Sequence, residues 1–321
     1  MARGLLYQPD YKPLFSGHET FPLRYGWLKK AFDAVAASAD KLNNKRTVFL
    51  ADDAIAQFGV GKNMVASIRH WATAAGVIAD DPRDADQLTP TPLGNLIFGP
   101  DGRDPYMEMP TTLWLAHWHI AGHTTKTTWY WAFNHFPAKT FRRDDLVSSL
   151  LKLAANQGWK RAAEMTLRRD VECFVRTYVS QPAGAQGALE DNLESPLAEL
   201  ALIRLIGKRD DYQFVRGAKP TLTPGVFAYA LNAFWNSVRA AQTLSFEMVA
   251  HEPGSPGRVF LLDEADLADR LSSLETQTKG QFRWSETAGL KQITRERVLS
   301  EDEALRFVEN DFAQRPSRKA A

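Results

Sequence analysis

The sequence contains one cysteine in 321 residues, Cys173, and this scarcity excludes two kinds of scaffold. A single thiol cannot form an intramolecular disulfide, and it cannot supply the thiolates of a multi-cysteine zinc site. Long apolar runs are also missing, since nothing approaches the ~18 uninterrupted apolar residues of a membrane helix. The first residues lack the apolar stretch of a signal peptide, so we expect a cytoplasmic protein without membrane contact.

The chain also has almost no net charge, because 39 basic residues face 38 acidic ones. It is therefore not a generic polycation, and its charge is informative only locally. Residues 12–46 and 139–178 are basic, whereas residues 80–108 and 250–275 are acidic. This segregation is compatible with a basic groove and separate acidic surfaces, although the acidic runs are also typical of solvated helix faces.

The most informative stretch is residues 50–98, which has the order of a helix-turn-helix followed by a wing. A short helix follows Asp52 and Asp53, which we expect to cap it, and Gly59-Val60-Gly61 then supplies a tight turn. Residues 62–76 repeat apolar side chains at helical spacing, with polar donors on the other face. These donors are the types that reach bases and phosphates in a major groove: Lys62, Asn63, Ser67, Arg69 and His70. We predict a winged helix that binds duplex DNA; the alternative is a winged helix that makes only protein contacts.

A second helical pair is predicted at residues 144–157 and 164–178. Its outward basic side chains are also DNA-binding candidates: Lys160, Arg161, Arg168 and Arg169. This pattern is less specific than the first, because any helical hairpin with a basic face has it. The rest of the chain reads as helices with small hairpins. We therefore predict a mainly α fold of tandem winged-helix or helix-turn-helix units with small β-wings and no large sheet.

The composition suggests where these units are divided. Residues 182–187 are small and polar, and they make the best linker candidate in the chain. We expect an N-terminal winged-helix DNA-binding domain at 1–105, a helical domain with the second basic pair at 106–181, a C-terminal helical or winged-helix-like domain at 188–313, and a tail at 314–321.

Five segments of the chain are similar to a known family. They are Ser16–Lys30, Gly59–Val65, Thr127–Trp131, Ser195–Leu200 and Glu252–Glu264. Together they resemble the SspB family of bacterial single-stranded DNA phosphorothioation systems, over residues 16 to about 295. The first and last segments are long enough to be specific. The family was first catalogued as a domain of unknown function.

The resemblance implies a protein that acts on DNA beside a cysteine desulfurase, a sulfur-transfer enzyme and an ATPase. It further implies nicking, which opens one strand so that sulfur can replace a phosphate oxygen. The expected function is therefore that of a DNA-nicking endonuclease in an anti-phage modification system. The alternative is a non-catalytic DNA-binding adaptor that recruits the sulfur-transfer enzyme and the ATPase. Duplex DNA and these two enzymes are the expected partners, and a homodimer is left open.

The resemblance supplies no catalytic residues, so the candidates come from residue types near position 18. His18 could act as a general base, Glu19 as a partner of the histidine or a metal, and Arg24 as a phosphate clamp. Lys29 and Lys30 are candidates for binding backbone phosphates. The structural alternative is that Glu19 caps a helix at 22–39 while the neighbouring aromatic residues pack beneath the winged helix. We expect Mg²⁺ or Mn²⁺ as a cofactor, no organic cofactor, and no identifiable ligand set.

Four of the seven histidines fall within 19 residues, at His117, His119, His123 and His135. His119 and His123 are four residues apart and could share a helix face, as metal ligands do. The surrounding tryptophans favour a packing role instead, and the spacing does not match an HNH nuclease. The restriction-enzyme pattern of Pro-Asp followed by Glu/Asp-x-Lys is also missing.

Overall fold

The computed structural model describes residues 4–38, 48–50, 53–82, 84–160, 162–180, 194–207, 210–238, 242–287 and 289–313. Within these ranges the protein is mainly helical, with one two-stranded and two three-stranded antiparallel sheets. The predicted mainly α class without a large sheet is confirmed for this part of the chain. Here no helix is long and apolar enough to cross a bilayer.

The first third of the chain forms three helices, a hairpin and a fourth helix. These are α1 (Trp27–Ala37), α2 (Ala54–Phe58), α3 (Lys62–Ala74), β1 (Ile78–Asp81), β2 (Asp84–Pro90) and α4 (Pro92–Phe98). Gly59 lies in the left-handed region and ends α2, and Gly61 is extended and begins α3. The turn therefore forms where its glycines predict it. Helices α1 and α2 both pack on α3.

The boundaries of these elements differ from the prediction in three places. Helix α1 begins at Trp27 and not at residue 22, because Gly26 has a φ of 77° and breaks the helical path. Glu19 therefore caps no helix. Asp53 is the residue before α2, but its side chain makes no capping hydrogen bond, and Asp52 lies outside the described residues. Helix α3 ends two residues early, because Gly76 has a φ of 71°.

The centre of the molecule is built from two buried helices and a helical pair. These are α5 (Pro110–Ala121), α6 (Thr127–Asn134), α7 (Arg143–Asn156) and α8 (Glu164–Tyr178). Nearly every side chain of α5 and every one of α6 is buried, as expected for helices that are apolar all round. Their tryptophans join α3 and α8 in one hydrophobic core, in which Trp129 contacts both Trp71 and Phe174.

The remaining elements form the second and third small sheets and the helices around them. The strands are β3 (Thr140–Phe141), β4 (Ile203–Leu205), β5 (Tyr212–Phe214), β6 (Thr243–Ser245), β7 (Phe282–Thr287) and β8 (Leu290–Arg295). The helices are α9 (Pro224–Ser237), α10 (Phe246–His251), α11 (Pro256–Val259), α12 (Glu264–Ser272), α13 (Leu274–Gln277) and α14 (Glu301–Ala313). Helix α14 packs along α9 and also contacts α4 and α5.

One sheet joins two of the predicted domains. Strand β3 pairs with β5, with Thr140 opposite Gln213, so strands from both sides of residue 181 share hydrogen bonds. The predicted domain boundaries remain predictions, and the candidate linker at 182–187 and the tail at 314–321 lie outside the described residues. The shared sheet means that a cut in this linker would leave paired strands on different fragments.

Candidate functional site

The loop of residues 16–26 lies across α3 and buries His18. Both ring nitrogens of His18 are hydrogen-bonded: the backbone N–H of Thr20 donates to Nδ1 at 3.0 Å, and Nε2 lies 2.7 Å from a carboxylate oxygen of Asp170. Because Nδ1 accepts, the proton must lie on Nε2, which donates to Asp170. A general base needs a free nitrogen lone pair at its substrate, and this neutral histidine has none without breaking one of these bonds.

Asp170 is the centre of the buried group around His18. It accepts hydrogen bonds from His18 and from the hydroxyl of Thr128, so it joins the loop, α6 and α8. Burial lowers the pKa of Lys126 to about 8, and the nearby Asp170 carboxylate partly opposes that shift. We call His18, His70, Lys126, Thr128 and Asp170 the His18 cluster. Asp170 was not among the predicted site residues, although its spacing from Leu167 and Phe174 places it on the inward face of α8.

Aromatic rings and backbone contacts fix this cluster against α3. The His18 ring packs edge-on against His70 at 5.7 Å between ring centroids, and it also contacts Trp129. Burial, followed by the charge of Lys126, lowers the pKa of His70 well below its usual value. Gly17 has a φ of 103°, and a Cβ at this position would lie 2.7 Å from the His70 ring. The loop therefore fits against α3 only with glycine at this position.

The three predicted catalytic residues do not converge. His18 faces Asp170, whereas Glu19 is exposed and has a φ of 47°. The Arg24 guanidinium is buried between two rings, 5.5 Å from the centroids of both Phe21 and Trp27. The side chains lie in three different environments, so the structure does not gather the base, the metal partner and the phosphate clamp around one opening.

The predicted reading face of α3 is only partly exposed. Lys62 and Asn63 are exposed and Arg69 is half-buried, and none of the three forms an ion pair within the described ranges. Ser67 is fully buried and donates its hydroxyl proton to the His18 carbonyl at 2.7 Å. His70 is half-buried, and its ring packs against Gly17 and His18. The expectation that Ser67 and His70 point outward is therefore corrected, because α3 uses them to hold the loop.

The other predicted phosphate-binding residues divide in the same way. Lys29 pairs with Asp33, and the Lys30 ammonium donates to the Phe58 carbonyl at the end of α2. Arg168 is held by two carboxylates, Asp144 and Glu164. Lys160 and Arg169 are exposed, and Arg161 lies outside the described residues.

The hairpin that follows α3 is acidic. It carries Asp80, Asp81 and Asp84 near its tip, and Asp81 is buried. Carboxylates repel DNA phosphates, so this hairpin is a poor electrostatic match for a DNA backbone. Among the residues of this N-terminal region, the exposed donors of α3 are electrostatically better suited to DNA than this hairpin.

The histidines at 117–135 are packing residues and not a ligand cluster. Nε2 of His117 lies 2.8 Å from the Val259 carbonyl and Nδ1 lies 2.8 Å from the Tyr178 hydroxyl, so both nitrogens are engaged. Burial lowers the pKa of His117 to about 4, and a backbone hydrogen bond to Val259 partly opposes it. Burial and the neighbouring His123 lower the pKa of His119 to about 3.

A divalent metal finds no ready set of ligands in this part of the protein. No three histidine, cysteine, aspartate or glutamate side chains converge within the described ranges. Mg²⁺ prefers oxygen ligands at octahedral positions, and Asp170 is already occupied by two hydrogen-bond donors. These residues do not fit a protein-built metal cage, so no catalytic step is assigned to a metal here.

Comparison with known proteins adds a family and two related structures. Residues 15–312 match the family described as a protein of unknown function, DUF4007. An SspB crystal structure is 31% identical, with a TM-score of 0.78, and the match covers 94% of this chain and 89% of that one. A magnesium ion-bound SspB crystal structure is 28% identical, with a TM-score of 0.75, and the match covers 92% of this chain and 95% of that one. Among proteins with curated functions, none matches. The likeness to SspB supports a role in the Ssp phosphorothioation system.

Proposed function

The chain belongs to the DUF4007 family and is similar to SspB over nearly its whole length, and from this premise we propose that it is a duplex-DNA-binding component of DNA phosphorothioation. The observation that carries the proposal is the free polar face of α3. Lys62, Asn63 and Arg69 stand on a helix that follows a tight glycine turn, and no acidic residue in the described ranges neutralises the two cations.

The position of these residues suits a helix that enters a major groove. Lys62 and Asn63 are the first two residues of α3, and residues at the start of a recognition helix contact base edges. The helix N-terminus also carries partial positive charge, which favours a nearby phosphate. In this proposal α3 contacts the DNA phosphates and the acidic hairpin contacts protein partners. An adaptor for the sulfur-transfer enzyme and the ATPase would require both surfaces.

Fluorescence anisotropy with labelled duplex DNA tests this assignment. We expect Lys62→Ala and Arg69→Ala each to weaken binding by about 1–3 kcal/mol where the side chain meets a base, and by less where it meets a phosphate. Each lost phosphate contact should also reduce the slope of log K against log salt by about one. Lys29→Ala is the matched control, because Lys29 is already paired with Asp33. A folded double variant with unchanged affinity would exclude α3 as the DNA-binding element.

A second proposal is that the protein nicks duplex DNA with a divalent metal. The related magnesium-bound SspB structure favours it. Supercoiled plasmid incubated with Mg²⁺, Mn²⁺ or EDTA gives the test, and relaxed circles with metal but not with EDTA are the expected result. Plasmid that is bound but remains supercoiled with both metals would favour the adaptor.

A further inference from the structure

A groove far along the chain from α3 combines an aromatic floor with basic walls. It lies between the end of α6, the residues before β3, the end of β5 and residues 251–264, and its volume is about 610 Å³. Phe133 and Phe214 form the buried floor, and the half-buried Phe136 lies above them at 6.3 Å from the Phe214 ring. This volume falls within the range of small-ligand sites.

Two arginines line the groove and form no ion pairs within the described ranges. Arg216 donates from Nη1 to the carbonyls of Leu262 at 2.8 Å and Gly257 at 3.3 Å. Arg258 donates from Nε to the His251 carbonyl at 3.1 Å. A guanidinium has five N–H donors, so each arginine keeps donors for a further acceptor. Burial, followed by the charge of Arg258, lowers the pKa of Arg216, and the Asp263 carboxylate partly opposes that shift. An anion between the two arginines would relieve their remaining repulsion.

The segment that supplies Arg258 is tightly built and is not used by the proposed DNA contact of α3. Ser255 caps α11 by accepting the Arg258 backbone N–H. A Cβ at Gly257 would lie 2.6 Å from the Ala250 carbonyl oxygen, so the chain passes closely there. Leu261, which also lines the groove, has a φ of 53°, and such strain in a non-glycine residue is typical of functional sites.

A second cavity shows that arginines alone do not make such a site. The 540 Å³ cavity beside α14 contains Arg283 and Arg297, but Glu275 pairs with the first and Glu303 with the second. Two of the three arginines that line it therefore already have acidic partners, and among the described residues only Arg306 does not. The groove at Phe136 differs because its two arginines contact only backbone carbonyls and its floor is aromatic.

We propose that the groove at Phe136 binds a nucleotide of single-stranded DNA, with the base against Phe136 and the phosphate against Arg216 and Arg258. Stacking on an aromatic ring and charge-assisted bonds to phosphate are the two features by which proteins hold unpaired nucleotides. Asp263 and Glu264 at the groove edge could accept a hydrogen bond from a base N–H group, such as N3–H of thymine. That the nucleotide belongs to a DNA strand rests on the proposed function. That the groove binds a nucleotide rests on its aromatic and basic lining alone.

Anisotropy of a short fluorescein-labelled oligothymidylate tests the groove on the full-length protein. We expect Phe136→Leu to weaken binding about tenfold and Phe136→Tyr to retain it, because stacking needs the ring. Arg216→Gln and Arg258→Gln should each weaken binding and lower the salt slope by about 0.7, the value for one single-strand phosphate contact. Arg283→Gln, in the other cavity, is the matched control. Thermal unfolding of each variant shows whether the fold is retained.

Competition with unlabelled thymidine monophosphate and ATP distinguishes the sources of the nucleotide. If both nucleotides compete only weakly, the result supports a DNA strand as the ligand. If a free nucleotide binds more tightly than the oligomer and depends on Phe136 in the same way, the groove binds a nucleotide and the proposed DNA strand is rejected. If the oligomer does not bind, or if the folded Phe136→Leu and Phe136→Tyr variants bind it equally well, the proposal that the groove binds a nucleotide is rejected. The affinity of the Lys62→Ala variant for duplex DNA is measured in parallel. A failure of the proposed α3 contact is thereby distinguished from a failure of the groove.

Discussion

The His18 cluster and the exposed face of α3 use the same helix for opposite purposes. Ser67 and His70 turn inward and hold the loop of residues 16–26, whereas Lys62 and Asn63 at the start of the helix face solvent. Both regions contain polar residues of the types that bind DNA or catalyse proton transfer in proteins. The difference teaches that burial and existing hydrogen bonds, and not residue type, separate a structural side chain from one available to a ligand.

The comparison has a simple energetic basis. A buried polar group must keep its hydrogen bonds, because losing one costs about 1–3 kcal/mol and more for a charged group. His18 and Asp170 therefore stabilise each other and are poorly placed to exchange protons with DNA. Lys62 has no such bond within the described ranges, so a phosphate or base can contact it at little cost in stability.

The largest effect expected for buried polar residues is a loss of stability in acid, and it is expected at two further buried histidines. His117 and His119 have pKa values of about 4 and about 3, below the 6.5 of an exposed histidine. Their folded pKa is depressed, so below pH 6.5 the unfolded chain takes up protons that the folded protein does not. Stability is present above pH 6.5 and is lost as the pH falls toward the folded values; between pH 7 and 5 the two histidines lower it by about 4 kcal/mol.

Urea unfolding at several pH values measures this loss. His117→Gln should flatten the dependence between pH 7 and 5, since glutamine does not titrate. An identical slope in the wild type and the His117→Gln variant would show that His117 is not held neutral.

The next largest effect is expected for His18→Ala. Removing the imidazole leaves Asp170 with one donor fewer and opens a cavity, so we expect a loss of about 3 kcal/mol in the free energy of unfolding. Thermal and urea unfolding measure it, with the exposed Glu19→Ala as the control. An equally stable variant that binds DNA but has lost nicking would reverse the comparison and make His18 a catalytic base.

The smallest effect is expected for the paired surface cations. Lys29→Ala and Arg168→Ala should each change stability and duplex affinity by less than about 0.5 kcal/mol, because exposed ion pairs contribute little. Anisotropy and urea unfolding in the same buffer check both quantities. A loss of DNA affinity as large as that of Lys62→Ala would show that these side chains exchange their carboxylates for phosphates.

Local patterns predicted local structure well. Helix α3 and the hairpin after it follow from a 3.6-residue apolar repeat, the glycine turn and a polar break, all within residues 59–90. The predicted helix at 22–39 is wrong over residues 22–26, which continue the loop, because Gly26 has a φ of 77° and the helix begins only after it.

The candidate sites were harder to predict because they join distant residues. His18 and Asp170 are 152 positions apart, and no local periodicity links them. The groove at Phe136 likewise draws on residues near 136, 216 and 258. The pairing of β3 with β5 across the predicted linker has the same origin. Such contacts follow from tertiary packing, which a single sequence does not display.

The bond between His18 and Asp170 has a consequence for how the chain folds during synthesis. The ribosome releases residues 16–26 long before it releases α8, so the loop leaves the tunnel without its carboxylate partner. The local helices α1 to α3 can form early, since their contacts are close in sequence. Ser67 and Trp71 of α3 can already hold the loop at that stage, but the bond between His18 and Asp170 forms only once α8 has emerged. We therefore expect the last step of loop docking to be late and to couple the beginning of the chain to its middle.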